Sequence, residues 1–268
     1  MRNLLTIVIA LVLPMSAASV DGLKLHSATA GKGSKTVILV HGWTCDDTTW
    51  TSQVPVLSKD FRVITLDLPG HGKSGMPKQF SMDGFARAVE AVRAEAKADK
   101  VVLVGHSMGT PVIVQYARLF PAHVAGLVFV DGLVGMTVAA GAPPLGDRMA
   151  GPEGRQAREQ MIRGMFSGST TLALQTKILN MMMAPPEATA AGAMNATFDP
   201  AVWKQDTLGM PILALYADHS GLANRDYMKV HFPAMEYHEI AGTGHFLMLE
   251  KPEEFNGLLV SFLHKTNY

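Results

Sequence analysis

Cysteine is almost absent from this chain of 268 residues, and since Cys45 is the only one, no intrachain disulfide can form. A domain of this length does not need a disulfide, because it can bury a large apolar core. A catalytic cysteine requires a partner histidine and a lowered pKa, and the local sequence gives no sign of such a pair. We therefore predict that Cys45 is a small, partly buried structural side chain.

An excess of charge of either sign is also lacking. The chain has 23 Lys and Arg against 23 Asp and Glu, and only 17% of its residues are charged. Without a basic excess, nothing in the charge balance favours a nucleic-acid partner. Hydrophobic residues make up 48% of the chain, which excludes wholesale disorder. The composition therefore favours a folded domain that binds a small, uncharged ligand.

Long apolar runs are confined to the N-terminus, where Met1 and Arg2 precede an apolar stretch at 4–13 and small residues at 16–19. Spanning a bilayer takes about 20 apolar residues, and Pro14 interrupts this run before that length. A positive start, a short apolar stretch and small residues are typical of a secretory signal. We predict that residues 1–18 are a signal peptide, and that the mature protein is periplasmic or secreted without a stable membrane anchor. The alternatives are a membrane anchor or an element of the folded core.

Short β-branched apolar runs, flanked by Gly, Asp or Pro, alternate with helical segments through most of the remaining chain. Such runs suit strands that are buried on both faces of a parallel sheet. Strands are predicted at 36–40, 62–66, 101–104, 127–130, 211–216 and 235–240, and helices at 82–98, 110–120 and 252–264. This alternation predicts the α/β class with a doubly wound, mostly parallel sheet.

Residues 135–206 break the alternation, because they contain no strand-like run but two Pro-Pro pairs and many methionines. We predict a helical insertion here, longer than an ordinary connection, within a core formed by residues 19–134 and 207–268. The methionines have two interpretations. They fill irregular gaps between helices, or they line an apolar substrate cleft under a mobile lid.

The strongest chemical signal is the motif Gly-His-Ser-Met-Gly at residues 105–109, directly after a predicted strand and before a predicted helix. A sharp strand-to-helix turn projects the central serine, Ser107, above the sheet. A side chain at Gly105 or Gly109 would clash in so tight a turn. The motif alone is common, but the strand before it and the helix after it supply the context that it requires.

Three further stretches accompany this turn in a fixed order: His41-Gly42-Trp43 after a strand, Asp67 to Gly75, and Gly244-His245 before the last helix. With them the chain resembles the α/β-hydrolase family, in its lid-bearing, serine esterase-like branch. The resemblance covers residue 23 to the C-terminus and is weakest over 135–205. It implies an α/β-hydrolase fold in which a helical cap is inserted after the sixth strand.

The resemblance also implies roles for individual residues. Ser107 is the nucleophile, and a serine hydroxyl needs a base to attack. That base is His245, which lies in a glycine-flanked loop between the last strand and the last helix, where the family keeps its catalytic histidine. The backbone N–H groups of Trp43 and Met108 form the oxyanion hole. The Trp43 side chain either walls the pocket or simply packs.

Two residues compete for the acid of the triad. The family usually carries its acid a few residues after the strand at 211–216, at a position that aligns with Ser220, and Asp218 lies two residues earlier. In a second family pattern the acid ends the strand that follows the nucleophile's helix, and Asp131 stands there. A side chain at that strand end faces the crevice of such a sheet. We favour Asp131 and keep Asp218 as the alternative.

Residues 70–75 also match the glycine pattern of a dinucleotide-binding loop. That function requires a helix to begin at the loop, whereas residues 76–80 are predicted to be a loop. The sequence shows no cluster of metal ligands with recognisable spacing. We therefore predict neither a cofactor nor a metal.

Together these features predict a serine hydrolase that cleaves small to medium, uncharged carboxylic esters, with a small ester-like molecule as its partner. Alternatives with the same triad are a lactonase, an amidase or a carbon–carbon bond hydrolase. A further alternative, from another class, is a non-catalytic binding protein on a hydrolase scaffold. The sequence makes no prediction of oligomeric state.

Overall fold

A seven-stranded sheet organises the part of the chain that the computed structural model describes, residues 18–136 and 143–266. Residues 1–17 of the predicted signal peptide lie outside the described residues. The strands are β1 (Ser19–Val20), β2 (Leu23–Lys24), β3 (Ser27–Ala30), β4 (Thr36–Val40), β5 (Arg62–Leu66), β6 (Val101–His106), β7 (Val124–Val130), β8 (Ile212–Ala217) and β9 (Met235–Ile240).

The sheet has the strand order β3-β5-β4-β6-β7-β8-β9, while β1 and β2 form a separate antiparallel pair. Only β3 runs antiparallel to its neighbour, and the other pairs in this sheet are parallel. All residues of β4 and β6 are buried, as expected for apolar strands covered on both faces. The predicted α/β class with a mostly parallel, doubly wound sheet is confirmed.

The helices are α1 (Val54–Leu57), α2 (Met82–Glu95), α3 (Gly109–Leu119), α4 (Gly154–Arg163), α5 (Leu172–Met183), α6 (Glu187–Thr197), α7 (Arg225–His231), α8 (Leu247–Glu250) and α9 (Pro252–Lys265). Helix α2 begins where the Ser81 hydroxyl accepts a hydrogen bond from the Gly84 N–H at 3.0 Å, as an N-cap serine does. Pro111 and Pro252 lie in the first turns of α3 and α9, where a missing N–H is harmless. Among the described residues, no helix is long and apolar enough to cross a membrane.

The segment between β7 and β8 contains α4, α5 and α6 and, within its described residues, no named strand. We call residues 143–206 the cap; residues 137–142 lie outside the described residues. The cap follows the fifth strand of the seven-stranded sheet along the chain. The implied position after the sixth strand is therefore wrong, because β3 to β7 are the strands of this sheet that precede the cap. Its assignment as a lid stays a prediction.

Cys45 is more deeply buried than the sequence suggested, at 1% exposure. Burial raises the pKa of its thiol to about 12. Since the thiolate is the reactive form of cysteine, a thiol that stays protonated at neutral pH is a poor nucleophile.

Candidate active site

Ser107 occupies the sharp turn between β6 and α3, with a backbone φ of +51°. A Cβ on Gly105 would lie 2.4 Å from the Gly109 carbonyl oxygen, and one on Gly109 would lie 2.5 Å from the Val40 carbonyl oxygen. Only glycine fits at either position, as the sequence motif requires. A left-handed backbone at serine costs energy that the surrounding structure must offset. The turn holds Ser107 there through a hydrogen bond from its N–H to the Val130 carbonyl at 2.9 Å.

His245 and Asp131 meet at the carboxyl edge of the sheet. Asp131 directly follows β7, and His245 lies in the loop between β9 and α8. The distance from His245 Nδ1 to Asp131 Oδ2 is 2.6 Å, with both side chains buried. The other carboxylate oxygen, Oδ1, accepts a hydrogen bond from the Ala217 N–H at 3.0 Å. This pair can fix the imidazole with Nδ1 protonated and leave Nε2 free to take a proton.

The Asp131 carboxyl stays ionised in spite of its surroundings. Burial alone would raise its pKa, but the hydrogen bond and charge of His245, with contributions from Ala217 and Ser220, hold the pKa below its ordinary value. A carboxylate here can therefore stabilise the imidazolium that forms when a base accepts a proton.

The alternative acid, Asp218, points elsewhere. Its Oδ2 accepts a hydrogen bond from the Gly242 N–H at 3.2 Å, and its Oδ1 lies 3.4 Å from Nε2 of the exposed His219. The structure thus brings Asp131, and not Asp218, to His245 Nδ1. Ser220, which the resemblance aligned with the family's usual acid, is instead one of the groups that lower the pKa of the Asp131 carboxyl.

The Trp43 and Met108 N–H groups, predicted for the oxyanion hole, flank Ser107 in different loops. Within the described parts of the chain, neither N–H donates to a backbone acceptor, as expected for donors that are reserved for a ligand oxygen. His41 fixes the first loop: its Nε2 accepts from the Leu68 N–H at 3.0 Å, and its Nδ1 lies 2.8 Å from the Gly42 carbonyl. Burial lowers the pKa of His41, which keeps the ring neutral in this role.

A cavity of about 890 Å³ opens between the sheet edge and the cap. It reaches Ser107, Asp131, His245 and Trp43. The Trp43 indole N–H donates to the Ala190 carbonyl of α6 at 2.8 Å, so this side chain lines the cavity and also contacts the cap. Large apolar side chains form much of the lining: Leu133, Leu145, Met149, Met161, Met165, Phe166, Met194, Phe198 and Leu222. Arg148 and Asp218 add charged groups to the wall.

The methionines of the cap fall into two groups, those that line the cavity and those that fill the protein interior. Met149, Met161, Met165 and Met194 line the cavity, whereas Met182 is buried in the core and does not line it. Met181 receives hydroxyl hydrogen bonds from residues of the core, and the one from Thr49 is 3.5 Å long.

A profile of the alpha/beta hydrolase fold family matches residues 35–252. The chain belongs to the α/β-hydrolase family. The match confirms the resemblance that the four sequence motifs indicated.

Several known α/β hydrolases are similar to this chain. A pimeloyl-[acyl-carrier protein] methyl ester esterase from Edwardsiella ictaluri is 28% identical over 250 residues, 87% of this chain and 95% of that protein. The corresponding esterase from Methylococcus capsulatus is 39% identical over 120 residues, which is 44% of this chain and 45% of that protein.

Two solved structures have the same fold and about a quarter of their residues identical to those of this chain. A thermophilic esterase from Thermogutta terrifontis is 25% identical with a TM-score of 0.79, covering 97% of this chain and all (100%) of that one. An N-acyl homoserine lactone degrading enzyme is 26% identical with a TM-score of 0.77, covering 92% of this chain and 100% of that one.

The glycine-rich stretch of this α/β hydrolase at residues 70–75 has a structural explanation. Asp67 accepts hydrogen bonds from the Asp47 and Lys73 N–H groups, both at 2.8 Å. A Cβ on Gly72 would lie 2.2 Å from that carboxylate, so the glycine lets the chain fold around it. Helix α2 begins only at Met82, so the loop does not lead directly into a helix.

The same carboxylate belongs to the one group of possible metal ligands found in the described residues, formed by His26, Asp47 and Asp67. Both oxygens of Asp67 already accept backbone hydrogen bonds. The group therefore has a sufficient structural role as an anchor of the loop after β5.

His106, which directly precedes Ser107, has a role that sequence reasoning missed. Its Nε2 lies 2.9 Å from the His245 carbonyl, and the two rings are 4.7 Å apart. Burial, together with the nearby His245, lowers the pKa of His106 to about 3. The neutral ring therefore donates from Nε2 and helps to fix the backbone of His245.

We expect the free energy of unfolding to decrease in acid, because His71 is buried in the folded protein. Burial and the neighbouring His41 lower the pKa of His71 to about 3, while an unfolded histidine titrates near the ordinary 6.5. Between these values the unfolded chain binds more protons than the folded one, so the free energy of unfolding falls as the pH falls from about 6.5 toward 3. We expect His71 alone to account for a loss on the order of 1–2 kcal/mol between pH 7 and pH 5.

Urea unfolding at both pH values measures this loss, and His71→Gln tests its origin. His71 Nδ1 lies 3.0 Å from the Pro69 carbonyl, and glutamine keeps an N–H donor but does not titrate. The variant should therefore lose less stability than the wild type on acidification. The matched control is His264→Gln at an exposed position. Equal pH dependence in His71→Gln and the wild type would contradict the assignment.

Proposed function

We propose that the protein is a serine hydrolase that cleaves carboxylic esters of small to medium, uncharged substrates through an acyl-enzyme. The observation that carries this proposal is the 2.6 Å contact between His245 Nδ1 and Asp131 Oδ2, in a cavity that also reaches Ser107 on its strained turn. A nucleophile, a base and a group that orients the base are the three parts that acyl transfer needs.

The reaction proceeds in two halves. Ser107 Oγ attacks the ester carbonyl while His245 Nε2 takes its proton, and Asp131 stabilises the resulting imidazolium. The Trp43 and Met108 N–H groups bind the oxyanion of the tetrahedral intermediate. His245 then gives the proton to the departing alcohol, leaving an acyl group on Ser107. Water, deprotonated by His245, attacks this ester, and collapse of the second intermediate returns the proton to Ser107 and releases the acid.

The lining of the cavity supports the choice of substrate. Its volume of about 890 Å³ lies within the range of small-molecule sites, and its methionine, leucine and phenylalanine side chains favour apolar acyl or alcohol groups. The esterases similar to this chain support the same bond type.

A lactone is the second candidate substrate, because it is a cyclic ester that the same three residues can open. The similarity to an N-acyl homoserine lactone degrading enzyme favours it specifically. The intermediates are the same, except that the leaving hydroxyl remains part of the acyl group.

Labelling with a fluorophosphonate probe tests the proposal first. We expect one adduct, located on Ser107 by peptide mass spectrometry, and its loss in Ser107→Ala. Absence of an adduct on folded wild-type protein would favour a non-catalytic binding protein. A panel of p-nitrophenyl esters, lactones, amides and vinylogous diketones then separates the bond types. Turnover of amides or diketones with no turnover of esters or lactones would contradict the ester assignment.

A further inference from the structure

Glu250, the last residue of α8, accepts four hydrogen bonds in a half-buried position. Its Oε2 accepts from the Gly244 N–H and from the Ser167 and Ser169 hydroxyls, each at 2.7 Å. Its Oε1 accepts from the Thr170 hydroxyl at 3.0 Å. Four hydrogen bonds to one carboxylate outside the proposed triad are a notable concentration. Hydrogen bonds to a charged acceptor are stronger than those between neutral groups, so this carboxylate can hold its four donors firmly.

The four donors come from two separate parts of the molecule. Gly244 immediately precedes His245, whereas Ser167, Ser169 and Thr170 belong to the cap. Glu250 therefore joins the loop that carries His245 to cap residues that lie 80 to 83 positions earlier in the sequence.

The two loops are in direct contact as well. The His245 N–H donates to the Met165 carbonyl at 3.1 Å. A Cβ on Gly244 would lie 2.8 Å from the same oxygen and 3.0 Å from the Ser167 nitrogen. Only a glycine lets the loops approach this closely. The carboxylate of Glu250 accepts hydrogen bonds from both loops beside this contact.

We propose that Glu250 is a positioning residue that clamps the His245 loop to cap residues 165–170, so that the cap sets the position of the general base. The proposal rests on the function proposed above, in which His245 is that base. Without the carboxylate, four donors lose their acceptor, and the loop is held to the cap by the single bond to Met165. A displacement of a catalytic group by about 1 Å can cost on the order of 10²-fold in rate.

Three variants test the clamp. Glu250→Ala removes all four bonds, and we expect kcat for p-nitrophenyl butyrate to fall about 10- to 100-fold with a much smaller change in KM. Glu250→Gln keeps a carbonyl acceptor for Gly244 and should recover most of that loss. The double variant Ser169→Ala/Thr170→Ala removes bonds on the cap side only, and it should also lower kcat. The matched control is Glu253→Ala, an exposed glutamate three residues further along the chain, with unchanged kcat expected.

Two readouts distinguish positioning from a general loss of stability. In a double-mutant cycle, Glu250→Ala should add little to the loss already caused by His245→Ala if it acts through that base. Proton NMR should show the downfield resonance of the short His245 Nδ1–H···Asp131 bond shifted or broadened in Glu250→Ala and in the cap double variant, but not in Glu253→Ala. If Glu250→Ala does not fold, the glutamine and cap variants carry the same comparison.

Unchanged kcat in Glu250→Ala, or losses that multiply fully with those of His245→Ala, would overturn the proposal. Unchanged kcat in the folded cap double variant would overturn the role of the cap. If the wild type shows neither probe labelling nor hydrolysis, it is the proposed function that fails. The NMR comparison still tests the clamp in that case, because it requires no turnover.

Discussion

Replacing Ser107 with alanine is expected to lower kcat for p-nitrophenyl butyrate by at least about 10⁴-fold while leaving the fold intact. The substitution removes only the Oγ atom that would attack the carbonyl. Alanine keeps the Cβ, and the backbone bond from residue 107 to the Val130 carbonyl does not involve the side chain. Steady-state kinetics measures the loss of kcat, and thermal unfolding of the same preparations shows whether the fold is intact.

A glycine at the same position provides an informative control. The φ of Ser107 is +51°, a conformation that glycine adopts without a steric penalty. We expect Ser107→Gly to be equally inactive but more stable than Ser107→Ala, by about 1 kcal/mol. The difference in stability between the two variants would then measure the backbone strain at residue 107, independently of the loss of the hydroxyl group. Substantial ester turnover by either variant would place the nucleophile elsewhere.

The central strands could be predicted well because their signal is local. The runs at 36–40 and 62–66 match β4 and β5 to the residue, since both are short β-branched segments between turn-forming residues. Strand β6 extends to His106, two residues beyond the prediction. The cause is the parallel pairing of Gly105 and His106 with Phe129 and Val130 of β7, which depends on the neighbouring strand and leaves no periodicity in the sequence.

The positions of Ser107, His245 and Asp131 followed from motifs that each occupy a strand end or a loop next to one. What links them does not follow from such motifs. The bonds of Glu250 to cap residues 167–170 join segments that are distant in the sequence. In the sequence alone, a glutamate just before a predicted helix cannot be told apart from one on a solvated surface. Ser220 had a signal, since it stands where the family usually has its acid. Its effect on the pKa of the Asp131 carboxyl depends on how the two loops fold together, which the sequence pattern does not give.

The choice between the two acids leads to the second large expected effect. We expect Asp131→Asn to lower kcat about 10⁴-fold. The Oδ1 position accepts from the Ala217 N–H, so an asparagine will place its carbonyl oxygen there and its NH₂ group toward His245. An NH₂ group must donate to Nδ1, which puts the ring proton on Nε2, where the base needs a free lone pair.

Asparagine is also the substitution least disruptive to the backbone. The φ of Asp131 is +39°, in the left-handed region that Asn and Asp tolerate better than other residues with a side chain. The matched control is Asp218→Asn, whose carboxylate contacts Gly242 and His219 instead of the base, and its kcat should stay close to that of the wild type. Collapse of turnover in Asp218→Asn, with Asp131→Asn fully active, would make Asp218 the acid and would require the His245 loop to rearrange during catalysis.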